Sequence, residues 1–597
     1  MKQLLLFCSF FLLLPLAVLA HASVAYTVYN ETTRVLTYYY DDQAGSESRT
    51  NAGTVDYQHT DRVSIPTSAN PVRIVIASSF ASNSSVEHIN FSGATELTEI
   101  AGLQYLNTSN AKELSFSGCS SLTGINLNGL NLSNLQALSF YGCSSLSGIN
   151  LSGHNLSNIQ SLSFYGCSSL TNINLSGHDL SSLTSMQSMF QNCSSLKTVN
   201  MSGVNASNAS GMSAMFQGCT SLTSVNMSDV NASSATAMIM MFYQLSNLTS
   251  VDLSGMDISN VTNMGNIFHD CSNLTSVNFS GIKMSKVTNM GYMFMGCSKL
   301  ANLDLSSFNT SSVTSMEYML MNCTSLTSLD LTGFDTGNVN NMNSMFFGCT
   351  ALTTIYCNDA WSASSGSGMF TNCTSIVGGH GTTYSATNTS VDFAHPEVGG
   401  YFTKKKTTFS TVTIGGTTQY WRTYYTDTRN VKADETTTVY TATLNDAGTN
   451  LTIHEIADKI IPAGNAVLLR STTEEAVLYT ADSEGTGDYS TNSLKGTQRD
   501  LNVSEVSGTV YTLAQEGGAF GFHKFGGTVL AAGKAYLVVN SASPVRFITF
   551  DTDETTSINL KPTTAPAEAE LYDLQGRRME KPSKGIYIVN GKKIVKR

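Results

Sequence analysis

The sequence has few charged residues, which make up 13% of its 597 positions, with 43 acidic side chains against 32 basic ones. The scarcity is greatest in the middle of the chain, where residues 113–373 contain no Arg and only four Lys. Binding of nucleic acid needs a basic surface. A polysaccharide lyase built on a parallel β-helix needs clustered basic and acidic groups. The composition therefore argues against both classes.

Motifs for catalysis and metal binding are also missing. The sequence has no Cys-x-x-Cys pair, no His-Glu-x-x-His segment, no Gly-x-Ser-x-Gly elbow and no phosphate-binding loop. We therefore predict a protein that is not an enzyme and that has no cofactor, no catalytic residue and no metal site.

Residues 1–22 have the pattern of an export signal. Lys2 precedes an apolar run from Leu4 to Leu19, and Ala20-His21-Ala22 offers a small-x-small cleavage site. No later stretch resembles a transmembrane helix. We therefore predict a mature chain without a membrane span, secreted or displayed at the cell surface, on the exterior of an outer membrane.

A repeat of fixed period occupies the centre of the chain. One Cys per rung, here called the landmark residue, recurs after 24 residues in the first rungs and mostly after 26 in the later ones. Leu245 replaces the Cys in one rung. Eleven rungs result, marked by Cys119, Cys143, Cys167, Cys193, Cys219, Leu245, Cys271, Cys297, Cys323, Cys349 and Cys373.

The residues that follow each landmark predict a strand. A Leu stands three positions on, and aliphatic or apolar residues stand six and eight positions on, as in Leu222, Val225 and Met227. Apolar residues alternating with polar ones are typical of a strand with one buried face. Stacked rungs would therefore form a parallel sheet.

The residues before each landmark differ between the two rung lengths. Leu114-Ser115-Phe116 and its two successors alternate, which predicts an extended return in the 24-residue rungs. From Met186 onward the pattern is Met-x-x-Met-Phe, whose apolar spacing predicts one or two turns of helix. The two added residues per rung would convert an extended return into a short helix.

The period ends after the rungs, and a different pattern follows. Four segments bounded by Gly, Asn and Asp read as strands, at residues 439–444, 466–469, 509–513 and 535–539. They predict an antiparallel β-sandwich. Tyr420 and Trp421 could stack on sugars there, although an adjacent aromatic pair in a strand more often packs in a core.

These patterns give the fold class as an α+β leucine-rich-repeat solenoid, with a parallel β-sheet and short helical or extended returns, followed by an antiparallel β-sandwich and a small C-terminal β tail. The predicted boundaries are 1–22 for the signal peptide, 23–93 for an N-terminal β-rich cap, 94–376 for the solenoid, 377–403 for its C-terminal cap, 404–564 for the sandwich and 565–597 for a sorting-like tail.

The rungs resemble the BspA-like leucine-rich-repeat surface proteins of Bacteroidota. Residues 326–349 carry the repeated Val-x-x-Met-x-x-Met-Phe-x-x-Cys core, and residues 36–42, 102–109, 378–383 and 400–403 extend the resemblance to about two thirds of the chain. The first three rungs depart from the pattern because they lack the Met pair. The resemblance implies adhesion to host proteins or other cells, and it implies no catalytic residues.

The tail resembles another group of sequences. Residues 571–578 and 584–593 are similar to C-terminal segments of exported Bacteroidota proteins that act as sorting signals for a type IX-like secretion route. From Leu571 onward eight basic residues face two acidic ones. The resemblance implies attachment to the outer surface through the tail; a small β-module that caps the preceding domain is the alternative.

The cysteines allow three interpretations, namely a metal array, a disulfide ladder or a column of buried thiols. Close ligand spacing is absent, and the eleven cysteines that remain after residue 22 cannot all pair. Leu245 replaces one Cys, and Cys357 stands where other rungs have an apolar residue. We therefore predict buried free thiols.

A polar stripe between the buried strand positions is the candidate ligand-binding face. It consists of Asn126, Asn150, Asn174, Asn200, Asn226, Asp252, Asn278, Asp304 and Asp330. In the predicted strands these side chains line one open face of the sheet, which repeat proteins use for extended binding. An Asn ladder that bonds to itself for structure is an equal alternative.

The leading functional hypothesis is an adhesin that binds host matrix, mucin or other cells. Its partner would be a host extracellular protein, a microbial surface protein or a glycan. The alternative is a carbohydrate-binding surface protein in which the β-sandwich holds the glycan. Nucleic acid is not an expected partner.

Overall fold

The computed structural model describes residues 23–44, 46–57, 61–66, 69–82, 86–414, 417–426, 430–444, 451–481, 483–497, 501–516, 519–530, 534–539, 547–549, 571–572, 578–579, 585–589 and 592–596. The signal predicted at residues 1–22 lies outside this set. The rungs make a parallel β-solenoid of about eleven turns with almost no helix, and antiparallel sheets follow along the chain.

The chain divides into two compact units. Among the described residues, unit 1 comprises those within 1–303, 313–326 and 342–350, and unit 2 comprises those within 304–312, 327–341 and 351–597. The boundary therefore passes through the repeat rather than after it.

Unit 1 opens with ten short strands in two sheets. The strands are β1 (Val24–Asn30), β2 (Val35–Asp41), β3 (Thr54–Tyr57), β4 (Arg62–Ser64), β5 (Arg73–Ile76), β6 (His88–Asn90), β7 (Glu99–Ala101), β8 (Glu113–Ser115), β9 (Ala137–Ser139) and β10 (Ser161–Ser163). One sheet has the order β3-β1-β2-β5-β7 and the other β10-β9-β8-β6-β4. A single-turn helix, α1 (Glu47–Thr50), and 3-10 segments at Ser78–Ser82 and Leu103–Tyr105 complete this part.

A third sheet follows in unit 1 and is wholly parallel. Its strands are β11 (Asn172–Asn174), β12 (Thr198–Asn200), β13 (Ser224–Asn226), β14 (Ser250–Asp252) and β15 (Ser276–Asn278). They pair in chain order and in register, so that equivalent residues of successive rungs lie side by side. This sheet carries the aliphatic strand positions predicted from the repeat.

The parallel strand changes its place within the rung as the rungs lengthen. Strands β8 to β10 precede the landmark residue of their rung, as predicted for the extended returns of the 24-residue rungs. Strands β11 to β15 follow the landmark residue of their rung. The prediction of a strand after every landmark was wrong around Ile125, Ile149 and Leu303, where the backbone forms none. Gly124 and Gly148 stand next to the first two, and Gly weakens a strand because it has no side chain to pack and loses more entropy.

The predicted helical returns are also wrong, because each later rung has a left-handed residue directly before the position of its second methionine. Ser188, Ala214 and Met240 have φ angles of 55°, 55° and 56°. The backbone N–H groups of Met186, Ser188 and Phe190 donate to the next rung, at 3.0, 3.2 and 3.0 Å. Hydrogen bonds between rungs therefore replace those within a helix.

Phenylalanine rings form a column through the core of unit 1. Successive rings stack nearly parallel with centroids 5.1–5.6 Å apart. The column consists of Phe116, Phe140, Phe164, Phe190, Phe216, Phe242, Phe268 and Phe294, all fully buried. The period of the repeat thus sets a ring-to-ring spacing that suits stacking.

Ser and Thr hydroxyls tie the outside of the rungs together. The Thr249 hydroxyl donates to the Thr223 carbonyl at 2.9 Å, and the Thr275 hydroxyl donates to the Thr249 carbonyl at 2.9 Å. A second such ladder runs through Thr236, Thr262 and Thr288. The abundance of these residues is therefore in part structural, since each hydroxyl reinforces the stacking of the rungs.

Unit 2 contains the last parallel strands and the antiparallel sheets. The parallel strands are β16 (Ser328–Asp330), β17 (Thr354–Tyr356) and β18 (Phe402–Thr403). The next are β19 (Lys406–Thr408), β20 (Ser410–Ile414), β21 (Thr417–Thr426), β22 (Val431–Ala433), β23 (Thr437–Leu444), β24 (Leu451–Ile456), β25 (Ile460–Ile461), β26 (Asn465–Ser471) and β27 (Glu475–Thr480). A 3-10 segment lies at Val391–Phe393.

The remaining strands are β28 (Lys495–Gly496), β29 (Leu501–Asn502), β30 (Thr509–Glu516), β31 (Ala519–Lys524), β32 (Val529–Leu530), β33 (Ala535–Val539), β34 (Phe547–Thr549), β35 (Leu571–Tyr572), β36 (Arg578–Met579), β37 (Gly585–Val589) and β38 (Lys592–Lys596), with a 3-10 segment at Val503–Glu505. The last four form an antiparallel sheet of order β36-β35-β37-β38. The four strands predicted after the repeat are confirmed as parts of β23, β26, β30 and β33.

One core serves two of the antiparallel sheets, of order β20-β21-β26-β23-β24 and β28-β33-β30-β31-β34. Trp421, Leu468, Tyr511 and Leu537 belong to this core. Trp421 is 3% exposed, which confirms the prediction of core packing for this residue, whereas Tyr420 is half-buried and packs against a second core. Trp421 therefore offers no open ring face to a sugar.

The left-handed residues of the returns predict a gain in stability from Gly. Ala214→Gly should raise the free energy of unfolding by about 0.5–1 kcal/mol, because L-residues pay a steric penalty in this conformation. Gly368 already occupies the equivalent place in another rung, with φ 64°. The urea midpoint of the variant measures the effect.

Ala209→Gly is the matched control, because Ala209 is buried and lies outside the left-handed region. It should lower stability by about 0.5–1 kcal/mol. A loss of stability in both variants would contradict the strain assigned to Ala214.

Candidate binding face

The structure brings five of the nine stripe residues together on one sheet. Asn174, Asn200, Asn226, Asp252 and Asn278 are the last residues of β11 to β15 and lie side by side. Asn126 and Asn150 belong to rungs of unit 1 in which no strand forms at this place, and Asp304 and Asp330 belong to unit 2.

All nine stripe residues share one local geometry. The side-chain oxygen Oδ1 of each accepts a hydrogen bond from the backbone N–H two residues on, at 2.9–3.1 Å, as seen for Asn126, Asn150, Asn174, Asn200, Asn226, Asp252, Asn278, Asp304 and Asp330. This is an Asx turn, and it bends the chain out of the strand. Both Asn and Asp supply the oxygen, which explains why they interchange along the stripe.

The Asx turns change the role of the stripe. Their oxygens are engaged within the same rung, so the proposed ladder of Asn side chains bonded to one another does not describe these residues. Among the described residues, the Nδ2 atoms of Asn174, Asn200, Asn226 and Asn278 have no acceptor within the chain. A ligand on this face would therefore meet amide donors.

A shallow groove of about 800 Å³ lies over this sheet in unit 1. Its lining comes from all three residues of each strand, β11 to β15. The middle residues, such as Val199 and Val225, are buried beneath it, each 3% exposed. The flanking residues are polar and reach the solvent.

The groove also contains a row that the stripe prediction omitted. Two positions before each stripe residue stand Asn172, Thr198, Ser224, Ser250 and Ser276. Residues two apart in a strand point to the same face, so this period was a sufficient signal for finding the row. These side chains are short and uncharged, and they give the groove most of its remaining hydrogen-bonding groups.

Charge is nearly absent from the groove. Asp252 is the single ionisable side chain among its lining residues. Asp330, in unit 2, is engaged in an ion pair with Lys405. Burial raises the pKa of the Asp330 carboxyl, but the hydrogen bonds from Lys405 and Thr332 outweigh this and lower it. The lining of the groove is thus polar and almost uncharged.

The eleven described cysteines are buried and outside disulfides, which confirms the prediction of buried thiols, and nine of them form a column in unit 1. Each Sγ donates to a backbone carbonyl of the preceding rung at 2.9–3.2 Å, as observed for Cys119, Cys143, Cys167, Cys193, Cys219, Cys271, Cys297, Cys323 and Cys349. The column is therefore a structural element. The carbonyl acceptor explains why Cys is used where any small apolar group would fill the space.

Burial also suppresses the reactivity of several of these thiols, whereas hydrogen bonds with Cys167 and Cys219 lower the pKa of Cys193. It raises the pKa of Cys119 to about 11 and that of Cys271 and Cys323 to about 12. Since the thiolate is the reactive form, these side chains are inert at neutral pH. Where the structure describes the chain, no cluster of His, Cys, Asp or Glu is arranged to hold a metal ion.

Comparison with known proteins finds one family model that matches part of the repeat. The family described as "Mycoplasma protein of unknown function, DUF285" matches residues 133–249, 157–278 and 273–380. This is a BspA-like repeat family, so the resemblance of the rungs is confirmed at the level of the repeat. No curated protein matches the sequence.

A solved structure described as "Functional domain of InlJ from Listeria monocytogenes includes a cysteine ladder" is similar over 67% of this chain and 84% of that one. The identity is 13% and the TM-score 0.18, a likeness too loose to transfer any detail.

Among the described residues, no helix is long and apolar enough to cross a bilayer.

The Asx turns predict a specific pattern of tolerance. Asn174→Ala should lower the free energy of unfolding by about 1 kcal/mol, because the N–H of Ser176 loses its acceptor. Asn174→Asp keeps the oxygen and should leave stability nearly unchanged. Urea unfolding of both variants checks this; equal losses would contradict the turn as the reason for Asn.

The thiol column predicts a pH dependence. Alkylation of the native chain at pH 8 should label few cysteines, and denaturation should expose all of them. Because the pKa values of Cys271 and Cys323 in the folded chain lie above the ordinary value of 9.0, folding favours the neutral thiol. The contribution to stability is complete below pH 9 and decreases as the pH rises towards 12.

Intact mass after iodoacetamide treatment and the urea midpoint at pH 7 and pH 10 are the measurements. Rapid labelling of most cysteines in the native chain, or a midpoint that rises with pH, would contradict the buried column.

Proposed function

We propose that the protein is a surface-displayed adhesin whose groove over β11 to β15 binds a host extracellular protein, a microbial surface protein or a glycan. The single observation that supports this is the groove itself. It presents two rows of short polar side chains in register across five parallel strands, with one ionisable group among them.

The properties of the groove suit an extended partner. Every strand offers the same spacing of polar groups, so a long chain or a repeated epitope meets several equivalent contacts. Each neutral hydrogen bond adds little free energy, on the order of 1 kcal/mol. Many copies on one cell would convert such weak contacts into firm attachment.

Export and surface attachment belong to the same proposal. The pattern of residues 1–22 supports export, and the basic tail supports sorting to the surface through residues 565–597. The proposal includes no catalysis and no cofactor, in keeping with the lack of catalytic motifs in the sequence.

The alternative is carbohydrate binding by the antiparallel sheets of unit 2. The buried Trp421 removes one reason for it, but a cavity of about 460 Å³ in unit 2 supplies another. The two functions are separable because each has its own site within one unit.

Filling the groove tests the leading proposal. Ser224→Tyr combined with Ser250→Tyr places two large rings on its floor, and Tyr is well tolerated on an exposed strand face. The full mature chain should bind at least one member of an array of matrix proteins, mucins and glycans, and the double variant should lose at least tenfold in affinity.

Gln187→Tyr is the matched control, since Gln187 is exposed and lies outside the groove. It should bind like the wild type. Proteolysis of intact cells that carry the protein should release it from the surface. Unchanged binding by the double variant, or a protein protected from external protease, would overturn the proposal.

A further inference from the structure

The cavity in unit 2 has a lining unlike the rest of this acidic chain. Arg422 and Lys534 both border it, and none of the described residues that line it is Asp or Glu. The whole chain carries more acidic than basic side chains. Two cations on a described lining that contains no carboxylate therefore concentrate positive charge at this cavity.

Arg422 lies in β21 and is half-buried. Its Nη1 donates to the Thr408 carbonyl at 3.0 Å, and its Nε donates to the Thr423 carbonyl at 3.3 Å. A guanidinium has five N–H donors, so these bonds fix the group and leave others available. No ion pair involving Arg422 occurs among the described residues.

The environment of Arg422 makes an anionic partner favourable. Burial lowers the pKa of Arg422, because the charged form is held away from water. A buried charge is costly unless it is paired. A bound carboxylate would supply the pair, and the planar guanidinium suits a two-oxygen acceptor.

Lys534 supplies a second cation from a fixed backbone position. Its N–H donates to the Thr497 hydroxyl at 2.9 Å, and its carbonyl accepts from the Thr497 N–H at 2.9 Å. The side chain itself is exposed. Lysine is a flexible point charge, able to approach an anion that Arg422 already holds.

The remaining lining indicates the body of the ligand. Thr408, Ser410 and Thr512 contribute hydroxyl-bearing side chains, and the half-buried Phe525 contributes an aromatic ring. Side-chain hydroxyls can exchange hydrogen bonds with the hydroxyls of a sugar, and an aromatic ring can pack against the C–H face of a sugar. The volume of about 460 Å³ is in the range of small-molecule sites.

We propose that this cavity binds a sugar that carries a carboxylate, such as a uronic acid, with the carboxylate between Arg422 and Lys534 and the ring against Phe525. The proposal does not depend on the groove of unit 1, because all of its residues belong to unit 2.

Calorimetric titration of the full mature chain with D-glucuronate, D-glucose and inorganic sulfate tests the site. Glucuronate should bind with a dissociation constant in the millimolar range or below, and glucose at least tenfold more weakly. Higher salt should weaken glucuronate binding. Equal binding of glucose, or no saturation by glucuronate, would overturn the proposal. Tighter binding of sulfate than of glucuronate would assign the cavity to a free oxyanion and overturn it as well.

Lys534→Met should reduce the affinity for glucuronate about five- to tenfold, and Lys524→Met is the matched control. Lys524 is exposed and does not line the cavity. Both positions are exposed, so neither variant should unfold, and the thermal midpoint checks this. An affinity unchanged by Lys534→Met, or reduced equally by Lys524→Met, would contradict the role of Lys534.

Discussion

The hydrogen bond from one rung to the next is the interaction on which the repeat of unit 1 depends. Backbone N–H groups at the corners, the returns and the strands donate to carbonyls of the neighbouring rung, as Phe164 does to Met189 and Met201 to Asn226. This bonding sets the separation of the rungs. The Phe column, the thiol column and the hydroxyl ladders each use that separation, because each places one group per rung at contact distance from its equivalent.

The polar residues of the rungs are divided between structure and surface. Asx turns engage the oxygens of the stripe, and Thr hydroxyls engage carbonyls of the preceding rung. What remains for a partner is the amide nitrogens of the stripe and the row that contains Thr198, Ser224 and Ser250. A polar composition alone would have overstated the binding capacity of the face, since the stripe oxygens already have partners.

Sequence patterns predicted those features for which the same type of residue recurs at equivalent positions of the rungs. The single Leu245 in a Cys position indicated packing, and the alternation around Val225 indicated a strand; both predictions hold. The returns could not be predicted in this way, because Ser188, Ala214 and Tyr292 adopt one left-handed conformation despite their different side chains. The same limit applies to Arg422 and Lys534, since only the folding of unit 2 brings these distant residues to one cavity.

The in-register stacking of β11 to β15 has a consequence for heredity. Loss or gain of a single residue within a strand would shift the pairing of that strand with its neighbours, whereas duplication or deletion of one whole rung would preserve the pairing. Unequal recombination between near-identical repeats in the gene makes changes of the second kind. Related strains can therefore carry grooves with more or fewer strands. Each added strand would lengthen the groove and repeat the same polar side chains.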